Sequence, residues 1–204
     1  MAVELIAGVD EVGRGALFGP VVAAAVILPE SAAAELAALG VTDSKLLSPV
    51  QRDLLVEQVR RLAMDCRIGV ASVGEIDRLN ILQASLLAMR RAIARLSPQP
   101  DRCLVDGNQR IPGLPIPQQP ILKGDQTCLA IAAASILAKV WRDRLIVRLS
   151  ARYPHYDLAT NKGYGTVAHR LALQTYGCTS QHRRSFKPCQ LDALPVQQRL
   201  DVGS

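Results

Sequence analysis

The sequence predicts an α/β protein built on a mixed sheet, and three features carry that prediction. Apolar runs of strand length alternate with longer stretches at helical spacing. The first two runs are joined only by a glycine-rich turn, so they form an antiparallel hairpin in a sheet whose other strands need crossovers. Aromatic residues make up 3% of the chain against 49% hydrophobic, so the core is filled by Ala, Val, Leu and Ile. A chain of 204 residues buries roughly 70% of its extended surface on folding and needs no disulfide or metal staple. One domain, residues 1–204, is expected, with about 150–204 as a C-terminal helical and loop extension.

Residues 5–9 are apolar and lead into Asp10-Glu11. Gly13, Gly15, Gly19 and Pro20 then punctuate a turn, and 21–28 is a continuous apolar run that reads as a strand buried on both faces. A short Ala-rich helix over 31–39 closes at Gly40. Ser48-Pro49 sets a cap residue before a proline at the first helical position, followed by Leu54, Leu55, Val59 and Leu62 at helical spacing. Residues 66–73 read as a strand, 74–80 as a connecting turn, and 81–96 as an amphipathic helix stopped by Ser97-Pro98. A strand over 102–105 ends at Asp106-Gly107, and a proline-rich extended segment leads to Ile121-Leu122. The longest helix spans 127–150, capped by Thr127 or Asp125, with an inner half too apolar to be exposed. Residues 153–166 read as an irregular loop, 167–176 as a helix, and 182–187 as a basic knot before a loose tail.

The formal net charge of +6 suits a polyanionic partner. Five cysteines without a C-x-x-C pair argue against a zinc ribbon or disulfide framework and for a reducing cytoplasm. No basic n-region precedes Glu4, which argues against a signal peptide, and no apolar window reaches membrane-spanning length. Gly13-x-Gly15-x-x-x-Gly19 is no dinucleotide fingerprint, because a strand rather than a helix follows it and Asp10 and Glu11 would repel a pyrophosphate. A P-loop run is absent.

Four carboxylates come from three element ends. Asp10 and Glu11 follow the first strand, Asp106 ends another, and Asp125 precedes the buried helix. Each position alone suits a cap or turn residue. Together they suit a hard cation, Mg²⁺ or Mn²⁺, because clustered carboxylates raise one another's pKa and a divalent ion offsets the repulsion.

The stretches GVDEVGRGALFGPVVAAAVIL (8–28), DSKLLS (43–48), NILQASLLAMRRAI (80–93), VDGN (105–108), KGD (123–125), IAAASILAKVWRD (131–143), KGYGTVAH (162–169) and HRRSFKP (182–188) resemble ribonuclease HII, in order, over nearly the whole chain. The resemblance implies a ribonuclease H-like fold, a mixed five-stranded sheet flanked by helices, with the C-terminal part completing the substrate groove. It implies a metal-dependent endonuclease that cuts the RNA strand of RNA·DNA hybrids; the sequence itself makes no strong case for an oligomer, so a monomer is expected. It also implies cutting 5′ of single ribonucleotides in duplex DNA, leaving a 3′-hydroxyl and a 5′-phosphate.

The family's carboxylates fall on Asp10, Glu11, Asp106 and Asp125. Its ribose-sensing turn falls on Gly13, Arg14 and Gly15, and its tyrosine beside the ribose on Tyr164. Glycine lets main chain approach a sugar, and the 2′-hydroxyl distinguishes RNA from DNA. Lys45, Lys123, Lys139, Lys162, Arg183, Arg184 and Lys187 are candidate phosphate contacts, with a solvated basic face as the alternative. Lys139, Arg142 and Asp143 are expected to cluster on the helix surface, and Ser135 to bond backbone.

Three positions depart from the family pattern: Leu46 in place of a second lysine, Asn161 in place of a histidine, and Ala16 in place of a proline. His155 and His169 stand nearby, and neither is at the family position. The departures bear on rate or substrate preference. A catalytically silent hybrid-binding module, ribonuclease HIII and a junction resolvase are the alternatives, and the intact carboxylates argue against the first.

Overall fold

Seven residues, Ile6–Val12, form the central strand β1 of the computed structural model, which describes residues 4–42 and 44–193. Strand β2 (Val21–Ile27) returns antiparallel beside β1 with Asp10 opposite Ala24, and β3 (Asp65–Ala71) pairs antiparallel with β2. On the other side, β4 (Arg102–Asp106) runs parallel to β1 and β5 (Gln118–Ile121) parallel to β4. The order is β3-β2-β1-β4-β5, a mixed five-stranded sheet as expected.

Helices cover both faces, which is why β2 is apolar throughout. Val21, Ala23, Ala25 and Ile27 join Ala7 and Val9 in the core beneath α4 (Ile81–Ile93), while Ala24 and Val26 face α6 (Leu129–Ser150). Helices α1 (Glu30–Ala38) and α2 (Pro49–Leu62) complete that second layer through Leu36, Leu55, Val56 and Val59. The Ser48 hydroxyl accepts from the Gln51 amide to cap α2, with Pro49 at its start. Helix α6 lies directly on β1, since a Cβ on Gly8 would sit 2.2 Å from the Ala130 carbonyl carbon. Among the described residues no helix is long and apolar enough to cross a membrane.

Three expectations need correction. Residues 74–80 are no simple turn: α3 (Val73–Leu79) forms there, because Ser72 and Glu75 make a reciprocal capping box. The long helix starts at Leu129 after Cys128, and neither Asp125 nor Thr127 caps it. Both belong to a separate single turn, α5 (Gly124–Thr127). Within 153–166 the chain forms a 3₁₀ turn (Pro154–Tyr156) and α7 (Leu158–Asn161) before α8 (Val167–Tyr176). The tail expected to be loose lies largely outside the described residues.

The C-terminal part packs on its own small core of Leu17, Phe18, Ile146, Tyr156, Leu158 and Leu173. Residues 17–19 lie between two returning segments. Leu17 and Phe18 amides donate to Gly163 O on one side, while the Gly19 amide donates to Gln181 O and Arg183 N donates to Leu17 O on the other.

Candidate active site

Parallel pairing of Val9 with Val105 leaves Asp10 and Asp106 one residue further along adjacent central strands. Oxygens of Asp10, Glu11 and Asp106 all lie within 4.8 Å of one another. Each partner is fixed locally. The Glu11 amide donates to Asp10 Oδ1 at 2.7 Å. The Gly124 amide donates to Asp106 Oδ1 at 2.7 Å, and a Cβ there would sit 2.5 Å from Ile131 Cδ1 and 3.3 Å from Asp106 Oδ1, so a larger residue would make one of them shift.

The electrostatics are those of an acidic cluster under strain. Burial holds the Asp10 carboxyl well above its ordinary range, and the Glu11 and Asp106 charges push it the same way. Glu11 is raised by burial despite Arg14, whose Nη1 lies 3.2 Å from Glu11 Oε1, and Asp106 is raised chiefly by burial. Glu11 Oε2 is buried with no hydrogen-bond partner. A buried carboxylate oxygen without a donor is costly, and a divalent cation satisfies it. The three carboxylates, with no His or Cys among them, thus fit a hard oxygen-seeking ion.

A cavity of ≈ 500 Å³ opens over the cluster, lined by Asp10, Glu11, Gly13, Arg14, Gly15, Lys45, Asp106, Ser135, Lys139 and Tyr164. The expected ribose-sensing turn and tyrosine therefore share one cleft with the acids. Tyr164 is half-buried, with Arg142 Cζ 5.5 Å and Lys139 Nζ 5.7 Å from its ring centre. Ala16 bridges to Tyr164 across the loop.

Asp125 is buried close enough to Asp106 to raise its pKa, yet it stands outside the trio, with its Oδ2 3.2 Å from Lys45 Nζ. Lys123 and Arg184 are exposed, but neither is among the described residues lining this cavity.

Arg183 is not a surface phosphate contact. It is fully buried, its Nε donating to Gly19 O and its Nη1 to Arg14 O, both at 2.9 Å. Arg142 is likewise interior rather than part of a surface cluster, while Lys139 and Asp143 do pair at 3.0 Å. Ser135 bonds a side chain, its Oγ 2.9 Å from Ser44 Oγ, which ties α6 to the loop carrying Lys45. Asn161 plays a structural part, since its Nδ2 donates to Tyr156 O and its Oδ1 accepts from the Gly163 amide, both at 2.7 Å. His169 is buried with Nδ1 2.9 Å from Tyr164 O, whereas His155 is exposed and stacks on Tyr176.

Acidic side chains near the carboxyl ends of adjacent central strands in a mixed β3-β2-β1-β4-β5 sheet fit the ribonuclease H-like class. The family model described as Ribonuclease HII matches residues 7–189, and the chain belongs to that family of endoribonucleases. It is 66% identical over 194 residues to "Ribonuclease HII" of Acaryochloris marina, covering 95% of this chain and 98% of that protein. It is 64% identical over 193 residues to "Ribonuclease HII" of Trichodesmium erythraeum, covering 95% of this chain and 92% of the other. Among solved structures, the ribonuclease H2 from Pyrococcus horikoshii OT3 superposes with a TM-score of 0.77 at 27% identity, over 92% of this chain and 96% of that one.

Proposed function

We propose that this ribonuclease hydrolyses the RNA strand of RNA·DNA hybrids and cuts 5′ of single ribonucleotides in duplex DNA, leaving a 3′-hydroxyl and a 5′-phosphate. The observation that supports this best is the sharing of one cavity by the acidic trio, the Gly13–Arg14–Gly15 turn and Tyr164. Acid oxygens that repel one another suit a site for cations on a phosphodiester. A glycine turn beside a tyrosine suits a sugar reader.

Asp10, Glu11 and Asp106, with Asp125 beside them, would hold Mg²⁺ or Mn²⁺. When bound, such ions supply an acidified water and neutralise charge on the scissile phosphate. The chain's own residues do the remaining work. Main chain at Gly13 and Gly15 approaches the ribose 2′-hydroxyl, and no atom would stand within 4 Å of a Cβ on Gly15, so that side of the turn is open to a sugar. The Tyr164 ring packs against the neighbouring sugar, braced by Arg142 and Lys139. Lys45 lies at the cleft, with Lys123 and Arg184 on the surface, as contacts to backbone phosphates. Residues from about 150 onward complete the groove, as the place of Tyr164 in the cavity wall suggests.

Three labelled duplexes test the reading: one with a single ribonucleotide, one RNA·DNA hybrid and one all-DNA. With Mg²⁺ or Mn²⁺ the first is cut 5′ of the ribonucleotide, the second within its RNA, and the third not at all; EDTA stops all cutting. Binding without cutting, or cutting of the all-DNA duplex, overturns it.

A further inference from the structure

Two arginines on opposite sides of the 13–20 turn, Arg142 and Arg183, are both fully buried, and neither is hydrogen-bonded to a carboxylate among the described residues. A buried guanidinium without a counter-ion is expensive, so the contacts it makes must require that particular group.

Every hydrogen bond they donate ends on a main-chain carbonyl. Arg142 Nε donates to Pro20 O at 3.1 Å, Nη2 to Phe18 O at 2.9 Å, and Nη1 to Lys162 O at 2.9 Å. Arg183 Nε and Nη1 hold Gly19 O and Arg14 O. One arginine therefore ties the sugar-facing turn to the segment carrying Tyr164, and the other ties it to the C-terminal strap. The strap is anchored in turn where Asp77 on α3 accepts from the Arg184 and Ser185 amides at 3.1 and 2.9 Å. The packing here leaves no spare room. A Cβ on Gly13, whose φ is +91°, would sit 2.2 Å from Arg142 Nε.

A rigid planar fork can hold carbonyls from two segments at one spacing, whereas a lysine offers a single flexible point. Burial lowers the pKa of both arginines, Arg183 to about 9, with the nearby Arg142 charge adding to the fall. The two groups thus sit desolvated behind the turn rather than at the groove surface.

We propose that Arg142 and Arg183 are positioning residues that fix the distance between the Gly13–Arg14–Gly15 turn and Tyr164, and so determine how strictly a lone ribose is told from deoxyribose. The proposal rests on the functional reading above. A hybrid presents many 2′-hydroxyls and its own helical shape, whereas an isolated ribonucleotide presents one hydroxyl. Loosening the joint should therefore cost the single-ribonucleotide substrate most.

The test compares wild type, Arg142→Lys, Arg183→Lys and Gly163→Ala. The third strains the same joint while keeping both arginines, because Gly163 has a φ of +84° and its Cβ would lie 2.8 Å from Phe18 O and 3.5 Å from Arg142 Nη2. Thermal melts and Mn²⁺ affinity identify the variants that are folded with the acidic cluster intact. In these, kcat/KM on the single ribonucleotide should fall on the order of 10–100-fold, clearly more than on the hybrid, with Mn²⁺ affinity unchanged. Equal losses on both substrates, or losses that follow Mn²⁺ affinity, overturn the positioning role while leaving the functional reading intact. A wild-type enzyme that cuts neither substrate overturns the functional reading itself.

Discussion

Replacing Asp10 with asparagine should stabilise the metal-free protein while abolishing turnover, and those opposite signs make the experiment informative. Asparagine keeps an oxygen for the Glu11 amide, which donates to Asp10 Oδ1 at 2.7 Å, but removes one charge from the cluster. Two unit charges 4.8 Å apart repel by about 3.5 kcal/mol at an effective permittivity of about 20. The cluster escapes much of this by retaining protons, as the raised pKa values of Asp10, Glu11 and Asp106 indicate. A residual gain on the order of 1–2 kcal/mol corresponds to about 2–8 °C in melting temperature for a chain of this size.

The pH dependence has a definite sign. A carboxyl whose folded pKa lies above its unfolded value carries no penalty below about pH 4, and the penalty grows as pH rises through the folded pKa. The variant's advantage should therefore be larger at pH 8 than at pH 6 and vanish near pH 4. Calorimetry in EDTA at these pH values measures it. Added Mn²⁺ should raise the wild-type melting temperature more than that of the variant, and turnover should fall at least about 10²–10³-fold. A variant less stable than wild type at pH 8 in EDTA, or one with an undiminished Mn²⁺ shift, would refute the reasoning.

Three further outcomes are expected. Tyr164→Ala should lower activity mainly on the single-ribonucleotide duplex. Equal losses on the hybrid would remove Tyr164 from sugar sensing. Glu75→Gln should cost about 1–1.5 kcal/mol at pH 7 in urea unfolding, after discounting the solvent exposure of the pair. Arg91 hydrogen bonds and the Ser72 amide hold Glu75 down at about 2, so its contribution is present above about pH 4.5 and fades as pH falls toward 2. Gly8→Ala should cost about 1–3 kcal/mol by forcing α6 away from β1, measurable in the same urea experiment.

Much of this architecture can be read from local chemistry. The β1–β2 hairpin follows from a glycine turn between two apolar runs, and the start of α2 from Ser48-Pro49. Asp10, Glu11 and Asp106 are recognisable because each follows an apolar run, near the carboxyl end of β1 or at the last residue of β4, and the parallel pairing of Val9 with Val105 brings them together. Helix α3 escapes periodicity because seven residues span barely two turns, although Ser72 and Glu75 at capping-box spacing announce it. The offset of Asp125 depends on the left-handed Lys123 (φ +52°) and the separate turn of α5, neither of which leaves a pattern in the sequence. Arg183 reads as surface charge within a basic run. Its burial depends on carbonyls more than a hundred residues away, which only the tertiary fold supplies. Asn161 reads as a departure from the family pattern, and its amide instead proves to shape the turn before Tyr164.

The account stands on Asp10, Glu11 and Asp106 forming one cation site. Anomalous diffraction from crystals soaked in Mn²⁺ tests this most directly. It should place manganese in coordination with an oxygen from each of these three residues, with Glu11 Oε2 no longer without a partner. Manganese bound only elsewhere, with the three carboxylates empty, would contradict it.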